Sequence, residues 1–143
     1  KKIIQMAEEH FKCNLAVSLH SVIPQVRDRL MPINKTNSLI ELKKALRYYC
    51  NMTKAKVTFE YILLAGINDS IHDEKELLKY CSDIPCKINI IEYNPITHVE
   101  YTKPSEEVQD RFAGYLQQKG MIVNIRKSRG KDISAACGQL ILN

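Results

Sequence analysis

One cysteine near the end of the chain stands in a setting that could do chemistry. The segment "RKSRGKDISAACGQL" places Cys137 between Ala136 and Gly138, shortly after a run of positive charge. Small neighbours leave a thiol accessible, and nearby cations favour the thiolate, which is the nucleophilic form of cysteine. A buried structural thiol also fits, because free cysteine is among the residue types most often buried. The segment alone leaves both interpretations open.

Short polar segments follow three of the predicted strands. Ser18, Leu19 and His20 ("SLH") end the first, "LLAGIND" ends the second, and "EYNP", with Asn94, ends the third. Ligands of parallel α/β folds bind at the carboxyl ends of the strands, where hydroxyl, imidazole and amide groups can hydrogen-bond them. Taken singly, His20 could instead cap the next helix, and Asn94 before Pro95 could form a turn. Taken together, these segments favour a cofactor or substrate site.

A basic cluster precedes Cys137, and it consists of Arg126, Lys127, Arg129 and Lys131. Such a cluster could be an ordinary solvated surface. It could equally bind phosphate groups, which would give a salt-dependent affinity for RNA that is independent of base sequence. The spacing of the four residues does not choose between these interpretations.

Glu60 lies inside an otherwise apolar predicted strand. A carboxylate is costly to bury unpaired, so this side chain either points into a polar barrel interior or pairs with a cation. The remaining cysteines and histidines show no spacing typical of a metal site. We expect packing positions for Cys13, Cys50, Cys81 and Cys86, and surface positions for His10, His72 and His98.

The composition is that of one ordinary globular domain. The chain has 143 residues, of which 45% are hydrophobic and 26% charged, and its net charge of +5 permits an acidic partner such as RNA. The five cysteines form no CxxC pair, so neither a disulfide framework nor an all-cysteine zinc site is indicated, and a reducing cytoplasm fits best. We find no signal peptide and no apolar stretch near the ~20 residues that cross a bilayer.

Helix and strand patterns alternate along the chain. The predicted strands are "NLAVSL", "KVTFEYILL", "CKINIIEY" and "MIVNIRK", and predicted helices lie between them, one from Ser70 to Cys81 and one from Pro104 to Gly120. Strands separated by helices predict right-handed crossovers and a parallel sheet. The near-continuous apolar strands are typical of parallel sheets that are covered on both faces.

The first helical pattern has no strand before it, and a closed (β/α)8 barrel needs about 250 residues. We therefore predict an α/β fold that is a partial (β/α) barrel, with residues 1–143 as a single C-terminal fragment of a longer catalytic domain. Half a barrel exposes a strand edge and a sheet face, which invite association. A homodimer through the exposed edge is the expected consequence.

Five segments resemble, in order, the C-terminal half of the radical S-adenosylmethionine RNA methyltransferases that act on carbon 2 of adenine. They are "NLAVSLH", "RDRLMPIN", "VTFEYILLAGIND", "IEYNP" and "RGKDISAACGQL". The resemblance covers essentially the whole chain, and "DISAACGQL" is its most specific part. It implies a partial barrel that holds a four-iron, four-sulfur cluster on a CxxxCxxC loop and binds S-adenosylmethionine at the strand ends.

The resemblance also implies roles for individual residues. Ser18, Leu19 and His20 match the family's cofactor-binding segment, Asn94 matches an asparagine that contacts the same cofactor, and Cys137 matches the cysteine that becomes methylated. In the family, one S-adenosylmethionine methylates this thiol and a second yields a 5′-deoxyadenosyl radical. The radical takes hydrogen from the S-methyl group, the carbon radical adds to adenine, and a second cysteine resolves the adduct. The implied substrates are 23S rRNA and tRNA, and an electron donor is needed.

The chain lacks the family's CxxxCxxC motif, its glycine-rich cofactor segment and its resolving cysteine, which belong to the N-terminal half. We therefore expect this chain by itself to hold no cluster and to be inactive. One alternative is the sister activity on carbon 8 of adenine. Another is a non-catalytic RNA-binding module that depends on Arg126, Lys127 and Arg129, with Cys137 dispensable. A nucleotide-binding α/β protein is disfavoured because no GxGxxG or P-loop follows a strand.

Overall fold

The computed structural model describes residues 1–127, and four parallel strands with intervening helices organise this part of the chain. The sheet order is β1-β2-β3-β4, and each neighbouring pair is parallel. This confirms the predicted α/β alternation and parallel sheet. The elements are α1 (Lys2–Glu8), β1 (Ala16–Ser18), α2 (Pro24–Leu30), a 3-10 helix (Pro32–Lys35), α3 (Leu39–Thr53), β2 (Val57–Ile62), α4 (Ile71–Cys81), β3 (Cys86–Ile91), α5 (Glu106–Gln118) and β4 (Ile122–Arg126).

Side-chain caps decide where the later helices begin. Ser70 Oγ accepts from the Asp73 N–H at 3.1 Å, and Asp73 Oδ2 accepts from the Ser70 N–H at 3.0 Å, which is a complete capping box for α4. The prediction that Pro104 opens α5 is wrong by two residues. Ser105 caps this helix by accepting from the Val108 N–H at 3.3 Å, so the proline lies outside it.

The two faces of the sheet have different surroundings. On β2 and β3 the alternate residues Val57, Phe59, Tyr61, Ile88 and Ile90 are buried, and they form one hydrophobic core with residues of the helices. We call this the covered face. The helix residues that complete the core include Leu46, Tyr49, Leu77, Phe112 and Leu116.

The opposite face of the sheet is polar and only partly buried. We call it the open face, and its residues are Ala16, Ser18, Thr58, Glu60, Ile62, Lys87, Asn89, Ile91, Ile122, Asn124 and Arg126. Within residues 1–127 this agrees with the uncovered sheet face expected of half a barrel, whereas the expectation of near-continuous apolar strands is wrong. The reason lies in the strands, whose residues alternate between buried and exposed positions instead of being apolar throughout.

Most predictions for the isolated cysteines and histidines are confirmed. Cys50 is buried, and the neighbouring Cys81 and Cys86 are buried too, with Cys86 Sγ donating to the Cys81 carbonyl at 3.8 Å. Cys13 is only half-buried and lies beside the Tyr49 hydroxyl, so its prediction as a core residue is wrong. The predicted surface histidines are all exposed: His10, His72 and His98.

Candidate functional site

The SLH segment lies at the carboxyl edge of β1, where parallel α/β sheets bind ligands. Ser18 is the last residue of the strand and is exposed, whereas the Leu19 side chain is fully buried in the core. The Leu19 N–H donates to the Glu60 carbonyl at 2.9 Å, which joins this segment to β2. Of these two neighbours, Ser18 is the one with an exposed side chain at this edge.

His20 is held as a neutral imidazole. Its Nδ1 accepts from the Ile62 N–H at 3.1 Å, so the proton of the neutral ring lies on Nε2. Burial, and then the nearby charge of Arg27, lower the pKa of His20 from 6.5 to about 4. The ring can therefore donate one hydrogen bond at neutral pH. It does not cap α2, whose N-cap is Ile23, so that alternative for His20 is wrong.

A buried arginine fixes the backbone of the SLH segment from below. Arg27 Nε donates to the Leu19 carbonyl at 3.2 Å, and its Nη2 donates to the Ser18 carbonyl at 3.4 Å. Its Nη1 donates to Asn34 Oδ1 at 2.5 Å. Burial lowers the pKa of the Arg27 guanidinium from its ordinary value. Sequence reasoning missed this residue, although its position three residues before Leu30, on the apolar side of α2, was a detectable signal.

In the segment after β2, the side chain of Asn68 holds two strand ends together and is not available to a ligand. Asn68 is fully buried, and its Nδ2 donates to the carbonyls of His20 and Ile62 at 2.6 and 2.7 Å. Its Oδ1 accepts from the Leu64 N–H at 2.8 Å. The "LLAGIND" segment was predicted to offer polar groups to a ligand. The side chain of Asn68 is instead occupied in holding the ends of β1 and β2 together.

Asn94 is buried just beyond the end of β3. Because the strands are parallel and β2 lies between β1 and β3, Asn94 and Ser18 belong to the same edge of the sheet. The preceding residue, Tyr93, has a buried hydroxyl without a hydrogen-bond partner among residues 1–127. The structure thus places the predicted cofactor-binding residues along one edge, as the sequence indicated.

Arg126 ends β4 on the open face, and its Nη1 lies 3.8 Å from Glu60 Oε2. Both alternatives for Glu60 therefore hold, since the carboxylate lies on the polar face and faces a cation. Lys127 follows and is exposed. Three predicted site residues lie outside the described residues: Arg129, Lys131 and Cys137.

Across residues 1–127, no group of three or more histidine, cysteine, aspartate or glutamate side chains could hold a metal ion. In the same part of the chain, no helix combines the length and the apolar character required to cross a membrane.

The curated relatives of this chain are longer proteins. The chain is 49% identical over 142 residues to the probable dual-specificity RNA methyltransferase RlmN of Cytophaga hutchinsonii, covering 99% of this chain and 39% of that protein. It is 46% identical over 140 residues to the probable RlmN of Flavobacterium psychrophilum, covering 98% and 40%. RlmN of Geobacter sulfurreducens is 47% identical over 127 residues, covering 89% and 35%. The chain thus spans about two fifths of their length. No protein-family model matches it.

Solved structures agree on the fold. A radical SAM methyltransferase from Sphaerobacter thermophilus superposes with a TM-score of 0.92 at 40% identity, over 96% of this chain and 40% of that one. A domain of pyruvate-formate lyase-activating enzyme from Bacteroides vulgatus superposes with a TM-score of 0.66 at 20% identity, which supports the fold alone. The predicted partial barrel is confirmed. Along nearly all of its length, the chain is related to the dual-specificity RNA methyltransferases named RlmN, as the resemblance of its motifs indicated.

Proposed function

We propose that this chain is the C-terminal part of a radical S-adenosylmethionine enzyme that methylates carbon 2 of adenine in 23S rRNA and tRNA. The observation that carries the proposal is the 49% identity to an RlmN protein over 99% of the chain. An open polar sheet face beside a polar carboxyl edge agrees with it, because barrel enzymes bind their ligands at that edge. Residues 1–143 would form one fragment of the catalytic domain, and an enzyme that acts on RNA would work in the cytoplasm.

Ser18, His20 and Asn94 would bind S-adenosylmethionine at the carboxyl edge. Ser18 offers an exposed hydroxyl, and neutral His20 offers its Nε2–H as a donor. Leu19 would contribute by fixing the backbone between them, since Arg27 holds its carbonyl and that of Ser18. When bound, the cofactor supplies the methyl group and, with a reduced four-iron, four-sulfur cluster, a 5′-deoxyadenosyl radical.

Cys137 would carry the methyl group between cofactor and base. Its thiolate would be the nucleophile that accepts the methyl group of S-adenosylmethionine, and S-adenosylhomocysteine would be the leaving group. The methyl group would pass through the thiol because a polar methyl donor does not readily alkylate an electron-poor aromatic carbon. Ala135, Ala136 and Gly138 would leave room for both cofactor and base to approach the sulfur.

The rest of the enzyme would supply what this chain lacks. The chain contains no CxxxCxxC motif, so the cluster ligands and the resolving cysteine would come from the N-terminal half, and reduction would need an external electron donor. The basic residues Arg126, Lys127, Arg129 and Lys131 would bind RNA phosphates. Such contacts fix the position of the RNA without reading its sequence.

The test uses the complete protein that contains this chain, with its cluster assembled, and RNA from a host that lacks the enzyme. Mass spectrometry of the digested RNA should find methyladenosine, and comparison with standards should assign the methyl group to carbon 2. The Cys137→Ala variant should lose methylation and keep RNA binding. Cys13→Ala, which changes a half-buried thiol, is the matched control and should stay active.

Two results would contradict the proposal. Methylation at carbon 8 would assign the sister activity. An unmethylated RNA that the protein nevertheless binds, with affinity lost on replacing Arg126 and Lys127, would make the chain part of a non-catalytic RNA-binding module.

A further inference from the structure

One row of polar side chains crosses the whole open face. The register pairs Ser18 with Glu60, Glu60 with Asn89, and Asn89 with Asn124, so each of the four strands contributes one residue. Residues paired in this way point to the same side of a sheet. Each strand of the sheet thus contributes one polar side chain to a continuous row across the open face.

The hydrogen bonds along this row point in one direction. Asn124 Nδ2 donates to Asn89 Oδ1 at 3.3 Å, and Asn89 Nδ2 donates to Glu60 Oε1 at 3.0 Å. The hydrogen bonds therefore run from Asn124 through Asn89 to one oxygen of the Glu60 carboxylate. The bond from Asn89 occupies Glu60 Oε1, and the bond from Asn124 to Asn89 strengthens it by polarising the Asn89 amide.

The second oxygen of that carboxylate accepts no hydrogen bond from residues 1–127. This atom, Glu60 Oε2, is buried. Arg126 Nη1, at 3.8 Å, is too far away for a hydrogen bond, although it offsets the negative charge. Buried polar atoms are nearly always satisfied, and an exception indicates a missing partner. The missing partner must be a hydrogen-bond donor, because a carboxylate oxygen only accepts.

We propose that Glu60 Oε2 accepts a hydrogen bond from the 6-amino group of an adenine that binds on the open face. The backbone of Glu60 already holds the SLH segment, since its carbonyl accepts from the Leu19 N–H, so its carboxylate lies beside the carboxyl edge. Glutamate oxygens accept from exocyclic amino groups of bases in this way. The inference rests on the proposed function, in which both the cofactor and the target base carry an adenine.

Glu60→Gln in the complete protein is the discriminating variant. Glutamine keeps the oxygen that accepts from Asn89 and puts an NH2 group where the free oxygen was, so a ligand amino group would meet a second donor. Thr58→Val is the matched control, because Thr58 lies on the same strand and face two residues earlier. Equal unfolding midpoints in urea would show that both variants are folded.

Two pairs of ligands test the amino group. The first is S-adenosylhomocysteine and its purine analogue, which lacks only the 6-amino group, measured by titration calorimetry. The second is a substrate RNA with adenine or unsubstituted purine at the target position, measured by fluorescence anisotropy. We expect Glu60→Gln to weaken one adenine ligand about ten- to hundredfold and its purine counterpart less than about threefold, with Thr58→Val leaving all four Kd values unchanged.

Each result decides something. A selective loss with RNA assigns Glu60 to the target base, and a selective loss with S-adenosylhomocysteine assigns it to the cofactor. If Glu60→Gln weakens adenine and purine ligands equally, or neither, the inference is overturned while the proposed function stands. If the wild-type protein binds no adenine ligand at all, both are overturned.

Discussion

Phe59 and Glu60 are neighbours on β2, yet they belong to two different parts of the molecule. Phe59 is fully buried on the covered face, where its ring meets Tyr80 edge-on at 6.1 Å. Glu60 lies on the open face, where its contacts are Asn89 and Arg126. The covered face provides the apolar burial that stabilises the fold. The open face carries polar groups, and we propose that they serve a ligand.

The largest effect should come from breaking the covered face. Phe59→Ala should lower the free energy of unfolding by about 3–5 kcal/mol, because the ring leaves a cavity that its packed neighbours cannot fill. Urea denaturation followed by circular dichroism measures the change. Asn124→Ala is the control on the open face and should cost less than about 1 kcal/mol. Equal losses for the two variants would abolish the distinction between the faces.

Removing the Arg27 guanidinium, which holds the backbone of the SLH segment, should have the next largest effect. Arg27→Met should destabilise the chain by about 2–3 kcal/mol, because the buried carbonyl of Leu19 and the amide of Asn34 lose their donor. Arg29→Met, on the exposed side of the same helix, should change stability by less than about 1 kcal/mol. Urea midpoints of the two variants give the comparison, and a harmless Arg27→Met would show that the SLH segment is held by other contacts.

The sequence predicts the elements that form the covered face, but it does not predict the buried side chains that hold the carboxyl edge. Alternating helix and strand patterns gave the element order, and the capping residue Ser70 gave the start of α4 because that signal is local. The positions of Ser18 and Asn94 at one edge followed from the rule for parallel sheets. Arg27 was not foreseen although its place on the apolar side of α2 was a local signal and its partners Leu19 and Asn34 are near in sequence. Asn68 was not foreseen because its burial depends on a distant partner. Asn68 holds His20 across 48 residues of sequence, and no local pattern encodes such a contact.

The pH dependence of stability tests the carboxyl edge. In the folded chain the pKa of His20 is lowered to about 4, below the unfolded value near 6.5. Between these two pH values the unfolded chain therefore binds a proton on His20 and the folded chain does not. The contribution of neutral His20 to the free energy of unfolding is therefore complete above pH 6.5 and is lost as the pH falls toward 4. Between pH 6 and 5 the wild type should lose about 1.2 kcal/mol more than His20→Asn, which keeps an acceptor and does not titrate. Identical pH profiles would contradict a neutral, buried His20.

The smallest effect concerns association of the 143-residue chain through its exposed edge. Ile122, at 50% exposure, begins the edge strand β4 and lies on the open face. We expect light scattering to show dimers at high concentration, and Ile122→Lys to reduce them, since a charge at an edge strand opposes pairing. A monodisperse monomer at high concentration would show that the edge does not pair.

The central claim is that the buried core on the covered face stabilises the fold, whereas the methyl transfer depends on residues outside that core. A peptide mass map of the complete protein, isolated with its cluster from a host without its own enzyme, tests this most directly. The account predicts one added methyl group on the Cys137 peptide and none on Cys50, Cys81 or Cys86, which are buried. An unmodified Cys137 in a protein that methylates RNA, or a methyl group on one of the buried thiols, would contradict it.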